Sequence, residues 1–260
     1  MSLLIVKLIL MPLVIAYVTL ISRKWGHDIA GIFASLPFVA GPILLFMALE
    51  EGIPFAVATI PGVMVGILGW VIFCSIYIWV GQHYNALIST LAGYIAYVLW
   101  GALIQRFIPL FNLHIWLGIS ILGLFLGLKY FPKIKSEENQ EHRNLHYEIP
   151  LRMIMITLFV IGITYFAKAL GTSWSGILTP FPVITTVLAI FTHYTHGIHH
   201  VRKVFMGLFT GMFGFAVFLY LQAFLLIKTS IFFAFLIGFV VDFMITLGVR
   251  WLLKRALFKI

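Results

Sequence analysis

Cysteine is nearly absent: Cys74 stands alone in 260 residues, which excludes an internal disulfide and any multi-cysteine metal cage. Charge is scarce as well. Charged residues make up 10% of the chain, against roughly 25% in a soluble domain whose surface must be wetted. So little charge cannot cover a globule of this size, which rules out a soluble enzyme and a nucleic-acid-binding module. Also missing at recognisable spacing are an HExxH pair, a Gly-rich phosphate loop and a serine–lysine dyad. Nothing therefore argues for an enzyme, and no cofactor is expected. What the chain has in abundance is apolar surface, with 62% hydrophobic residues and a mean hydropathy of +1.10. Its solvent is mostly lipid, and the lipid bilayer is its first partner.

A hydrocarbon core of about 30 Å asks for about 20 apolar residues per helix. Nine such runs are readable, at 3–21, 29–49, 54–80, 86–106, 112–131, 150–170, 174–193, 201–227 and 230–252. The first is too long for a signal-peptide core and is followed by Arg23 and Lys24, so it reads as a retained helix. The polar stretch 132–149 mixes both signs of charge and reads as a solvated loop. With the N-terminus outside, thirteen of the 17 Lys and Arg residues fall on the inner side; Lys7, Arg106, Lys168 and Lys228 fall on the outer. Positive charge is retained in the cytoplasm. The expected orientation in the cell membrane is N-terminus outside and C-terminus cytoplasmic.

Shifted by 145 residues, the chain matches itself. Gly26 falls on Gly171, Gly31 on Gly176, Pro37 on Pro182 and Gly52 on Gly197. Gly62, Gly66 and Gly69 fall on Gly207, Gly211 and Gly214, and Phe73 on Phe218. Basic positions also correspond, Lys7 with Arg152 and Arg23 with Lys168. Four spans make each repeat and 112–131 is unpaired, so an odd number of crossings turns the second repeat upside down. The expected fold is all-α and polytopic, in a 4+1+4 inverted-repeat plan. Residues 1–106 form the first repeat, 107–131 the linker helix, 132–149 the cytoplasmic loop and 150–260 the second repeat. Many secondary transporters use such repeats to alternate between two faces; the plainer alternative is a duplicated, stable bundle.

Interrupted spans at matching positions in two halves point to a transporter's binding site. Ser35, Pro37 and Pro42 interrupt 29–49; Thr179, Pro180, Pro182, Thr185 and Thr186 interrupt 174–193. Proline removes a backbone donor and kinks a helix. The freed groups must then face protein or a cavity. Both breaks lie about 8 residues into their runs, near the midplane at 1.5 Å per residue. The alternative is a packing kink beside small residues. The pairs Gly62/Gly66 and Gly207/Gly211 read as faces for close helix approach.

One acidic residue lies deep inside a run: Asp242, whose repeat counterpart is Tyr97. An intramembrane carboxylate is a functional hypothesis by default, and here it is the expected proton-coupling group; the alternative is an interhelical hydrogen bond. His193, His196 and His200 share a helical face and are a weak metal candidate, with Gly197 interrupting that face and Arg202-Lys203 beside it. Otherwise no metal is expected.

The motif Ser175-Gly176-Ile177-Leu178-Thr179-Pro180-Phe181-Pro182, followed by His193-Tyr194 and Gly197, resembles the GlpM-like small membrane proteins. That resemblance covers chiefly 150–250 and, through the repeat, 20–106. It implies single four-helix units, here duplicated, and speaks to architecture rather than substrate. The function expected is alternating-access transport of a small anionic or zwitterionic solute, for which half-helix N-termini and the basic helix ends Lys7, Arg23, Arg152 and Lys168 argue. The alternative is a non-transporting membrane subunit of an export or envelope-synthesis complex. A homodimer is left open, and no nucleic-acid partner is expected.

Overall fold

A computed structural model describes residues 9, 13, 37, 40–134 and 148–257, with the side chains of 148, 149, 152, 156 and 253–257 outside the description. Among the described residues the chain is helical and contains no strand. In chain order the helices are α1 (Ala40–Glu50), α2 (Ile53–Gly81), α3 (Ala86–Ile104), α4 (Leu113–Lys129), α5 (Glu148–Tyr165), α6 (Ala167–Leu178), α7 (Val183–His196), α8 (Ile198–Lys228) and α9 (Ile231–Leu257). A 3-10 turn, Gln105–Leu110, extends α3.

Local chemistry sets the boundaries. The side chains of Asn85 and Asn112 cap α3 and α4 by accepting the N–H groups of Ile88 and Ile115, each at 3.0 Å, and so occupy donors that a helix start leaves orphaned. The two longest helices, α2 and α8, both begin after a glycine with positive φ. Gly52 has φ 94° and Gly197 has φ 78°, a region costly for any residue with a Cβ.

Among the described residues, four helices are long and apolar enough to cross a membrane: α2, α3 with its 3-10 extension, α8 and α9. A fifth span results if α5 and α6 are taken together, although they meet at an angle of 118°. The protein is therefore a helical membrane protein with several spans. At 29 and 31 residues, α2 and α8 are about 45 Å long at 1.5 Å per residue. They exceed the hydrocarbon core and carry their ends into the interfaces.

Two apolar runs differ from the continuous spans expected of them. The run 150–170 bends after Tyr165, and the serine hydroxyl of Ser175 donates to the Ala167 carbonyl at 2.9 Å across the start of α6. The run 174–193 is split between Leu178 and Val183. Hydropathy registers neither event, because the turn at Phe166 and the two prolines, Pro180 and Pro182, change backbone direction without making the segment polar. Gly171, with a φ of 70°, adds a separate kink inside α6. The run 3–21 lies outside the described residues, and 29–49 is described only at Pro37 and from Ala40 onward.

The hub of the bundle is α2, which packs against α1, α3, α4, α6 and α8. Trp70 meets Phe209 of α8 edge-on at 4.9 Å between ring centroids. At one end of the bundle the Arg202 guanidinium donates to the Pro132 carbonyl at 2.8 Å; at the other, His114 and Tyr220 hydrogen-bond at 2.9 Å. Basic residues around 129–133 and 202–203 thus gather at one end.

Several features recur 145 residues apart. Backbone bonds run from Gly41 to Pro37 and from Thr186 to Pro182, each at 2.8 Å. A side chain at Gly93 would meet Phe73, and one at Gly238 would meet Phe218. At Gly69 it would meet Tyr97, and at Gly214 it would meet Asp242.

Candidate functional site

The break between α6 and α7 lies against the middle of α2. Gly62 faces the backbone of Ser173 and Gly176, while Gly66 faces Ile177 and Pro180. Any side chain at these glycines would strike backbone or a proline ring. Backbone-to-backbone approach of this kind is the use membrane helices make of small residues.

Thr179, Pro180, Pro182, Thr185 and Thr186 are all buried at this break. Turn hydrogen bonds close it: Thr179 N–H reaches Gly176, Phe181 N–H reaches Leu178, and Val183 N–H reaches the Phe181 carbonyl. The Thr179 hydroxyl donates to Ser175 at 2.7 Å. Thr185 accepts the indole N–H of Trp70 at 2.9 Å. Two donors that a helix start ordinarily presents are therefore missing or spent, since Pro182 has none and Val183 uses its own. This leaves the α7 terminus with less to offer an anion than a full helix N-terminus has.

Thr186 is different. Its hydroxyl is buried, at 2% exposure, and has no hydrogen-bond partner among the described residues. The Tyr94 phenol is directed toward it without reaching hydrogen-bond geometry. Since burying an unpaired hydroxyl is costly, an orphan beside a broken helix marks a place where something else supplies the partner.

Around the break stands an aromatic wall that sequence reasoning passed over. Phe181, in the turn itself, packs against Tyr94 at 4.8 Å, Tyr97 at 5.2 Å and Phe159 at 5.5 Å. Tyr97 donates to the Ile177 carbonyl at 2.5 Å, and Trp100 donates to Val65 at 3.0 Å. Tyr94, Tyr97 and Trp100 recur at three-residue spacing, which puts them on one face of α3. That spacing was the available signal.

Other expected site residues are placed apart from this break. Pro42 sits in the first turn of α1, where a proline costs no helical bond, and Pro37 touches Gly41 just before that helix. Lys168 is exposed at the start of α6. Ser35, Lys7 and Arg23 lie outside the described residues, as does the Arg152 side chain.

Asp242 is fully buried in the α8–α9 seam, far along the chain from the α6–α7 break, and neither carboxylate oxygen has a partner. His193 contacts the Tyr77 hydroxyl at 3.3 Å, while His196 contacts the Thr195 hydroxyl and His200 the His196 carbonyl. Among the described residues no three ligating side chains come together to hold a metal.

Compared with known proteins, the chain matches no family model, no curated sequence and no solved structure, so the reading of the site rests on its own residues.

Proposed function

We propose that the protein is a secondary transporter that moves a small anionic or zwitterionic solute by alternating access, with the solute held at the α6–α7 break. One observation carries the reading: the orphaned, buried Thr186 hydroxyl beside a helix interruption that packs against the middle of the long span α2. Irregular backbone at that depth is tolerated only against protein or a cavity, and discontinuous helices are where transporters place their substrates. The charge of the solute is argued from the dipole of α7 alone, which favours a carboxylate or similar group at its start even though Pro182 lacks an N–H and Val183 spends its own on Phe181. The aromatic wall of Tyr94 and Phe181 suits the remainder of a small organic molecule.

The 145-residue recurrence supports an inverted-repeat plan. Matching positive-φ glycines, matching proline turns and matching glycine-on-ring contacts are what two copies of one folding unit would display. In this plan the thirteen Lys and Arg residues assigned to one face would be cytoplasmic, and the two halves would rock about the break.

The test is uptake by the purified chain in proteoliposomes, screened against amino acids, carboxylates and phosphate esters, with Thr186→Val as the diagnostic variant. Valine keeps the shape and removes a hydroxyl that bonds nothing in the folded chain, so folding should be unharmed. Uptake should fall at least about tenfold, the cost of one lost hydrogen bond to a charged group. Unchanged uptake by Thr186→Val would move the substrate elsewhere. No uptake by the wild type, together with co-purification of other envelope proteins, would favour the non-transporting subunit.

A further inference from the structure

The two long-helix seams, α2–α3 and α8–α9, are built alike but carry opposite polar chemistry. In the first, a side chain at Gly69 would meet the Tyr97 ring; in the second, one at Gly214 would meet the Asp242 carboxylate and the Thr246 hydroxyl. Both glycines lie near the midpoints of their helices. Tyr97 spends its hydrogen on the Ile177 carbonyl, and Tyr77 hydrogen-bonds His193. The positions 145 residues on are Asp242 and Gln222. Here, among the described residues, both oxygens of Asp242, the Thr246 hydroxyl and the Gln222 side-chain oxygen lack partners, and all three residues are 0% exposed. Gln222 spends only its N–H, on the Ala234 carbonyl at 2.9 Å. One seam has its donors in use; the other holds three carboxylate and amide oxygens that only accept, beside a single hydroxyl that bonds none of them.

We propose that Asp242 and Thr246 form a proton-binding site in the α8–α9 seam, where a proton carried by the carboxyl supplies the donor that Tyr97 supplies permanently in the other half. A lone carboxylate in apolar surroundings costs several kcal/mol or more, and the neutral acid removes that cost while giving Thr246 a partner. A sodium ion fits less well. It would need several more oxygens than the three that converge here, and the adjoining seam is lined by Phe215, Phe218 and Phe239.

No ionisable side chain of a described residue is within this cluster. On α8 the others are His199, His200, Arg202 and Lys203 toward one end and Tyr220 and Lys228 toward the other; on α9 the nearest is Arg250, about 12 Å along the axis at 1.5 Å per residue. From α1, which reaches α9 through Gly41 and Phe239, the ionisable group is Glu50 at the helix end. In the transport cycle the proton is taken from water on one side and returned to water on the other. This last step rests on the transporter reading; the proton site itself does not.

The experiment is infrared difference spectroscopy of the purified full-length protein between about pH 5 and 9, the range over which a buried carboxyl titrates. The wild type should give a protonated-carboxyl C=O band that is lost in Asp242→Asn and shifted in Thr246→Val, and sodium should leave it in place. A spectrum identical in wild type and Asp242→Asn overturns the site, as does sodium displacing the band. If Asp242→Asn fails to fold, Thr246→Val decides, because valine is isosteric and a band it leaves unmoved overturns the pairing. With the band present, proteoliposomes separate the two readings: Asp242→Asn should lose accumulation driven by a pH gradient and keep counterflow exchange. A wild type that transports nothing removes the transporter reading and leaves the proton site standing.

Discussion

Tyr97 of α3 donates its phenolic hydrogen to the carbonyl of Ile177, in the last turn of α6, across 2.5 Å. That carbonyl is one of those a helix end leaves without an internal donor. Thr179 and Phe181 N–H groups take the carbonyls on either side of it, those of Gly176 and Leu178. The α6 end is thus closed by two turn bonds and one long-range bond. The long-range bond ties the α6 end to α3, as the Trp70–Thr185 bond ties the start of α7 to α2.

Tyr97→Phe should loosen the break. The ring keeps its packing on Phe181, but the Ile177 carbonyl is left buried and unpaired. Interhelical hydrogen bonds in membranes are worth about 1–2 kcal/mol at most, so the melting temperature in detergent should drop by a few degrees. An unchanged melting temperature would mean that water replaces the phenol and that the break is hydrated.

Gly176→Ala should be far more damaging than Gly162→Ala. A Cβ at Gly176 would strike the Thr59 carbonyl and the backbone of Gly62, whereas one at Gly162 meets nothing within 4 Å. Overpacking a tight contact costs about 1–3 kcal/mol. Comparing the thermal stability of the two purified variants reads the difference, and equal stabilities would show that α2 and α6 are not in close contact.

Cys74 should resist maleimide labelling in the folded protein. Its side chain is fully buried in the middle of α2, and its labelling should become complete only in denaturant. Rapid labelling of the native chain would place this face of α2 on an open cavity.

A reporter fused after Ile260 should be cytoplasmic, and one inserted between Glu50 and Ile53 should be external. The Arg202–Pro132 hydrogen bond adds that cysteines at Lys133 and Lys203 should be labelled from the same side. Labelling of these two positions from opposite sides would break the assignment of ends.

Much was legible from composition and glycine placement alone. Sixty-two per cent hydrophobic residues with 10% charge leave a lipid-embedded helical chain as the physical outcome, because only paired backbone survives in hydrocarbon. Pro180 and Pro182 announced the break, since a ring without an N–H cannot continue a helix. Gly62 and Gly66 announced a close approach, and the structure supplied its partners, Gly176 and Pro180. Asp242 stood out as the one carboxylate deep in an apolar run, which required no fold to notice.

Only the tertiary structure decided the rest. Whether the apolar run 150–170 passes straight through or turns by 118° depends on what α6 packs against, and hydropathy carries no direction. Taken singly, Tyr94 and Trp70 carry no signal in the sequence, and Tyr97 stands there only as the repeat counterpart of Asp242; they become wall and hydrogen-bond donors because α2 and α3 bring them to the α6–α7 break. Likewise, a sequence can name the hydroxyls of Thr185 and Thr186 but cannot distinguish them. Trp70 reaches one at 2.9 Å and, among the described residues, none makes a hydrogen bond of proper geometry to the other, because satisfaction of a polar atom is a property of its neighbours in space and not of its place along the chain.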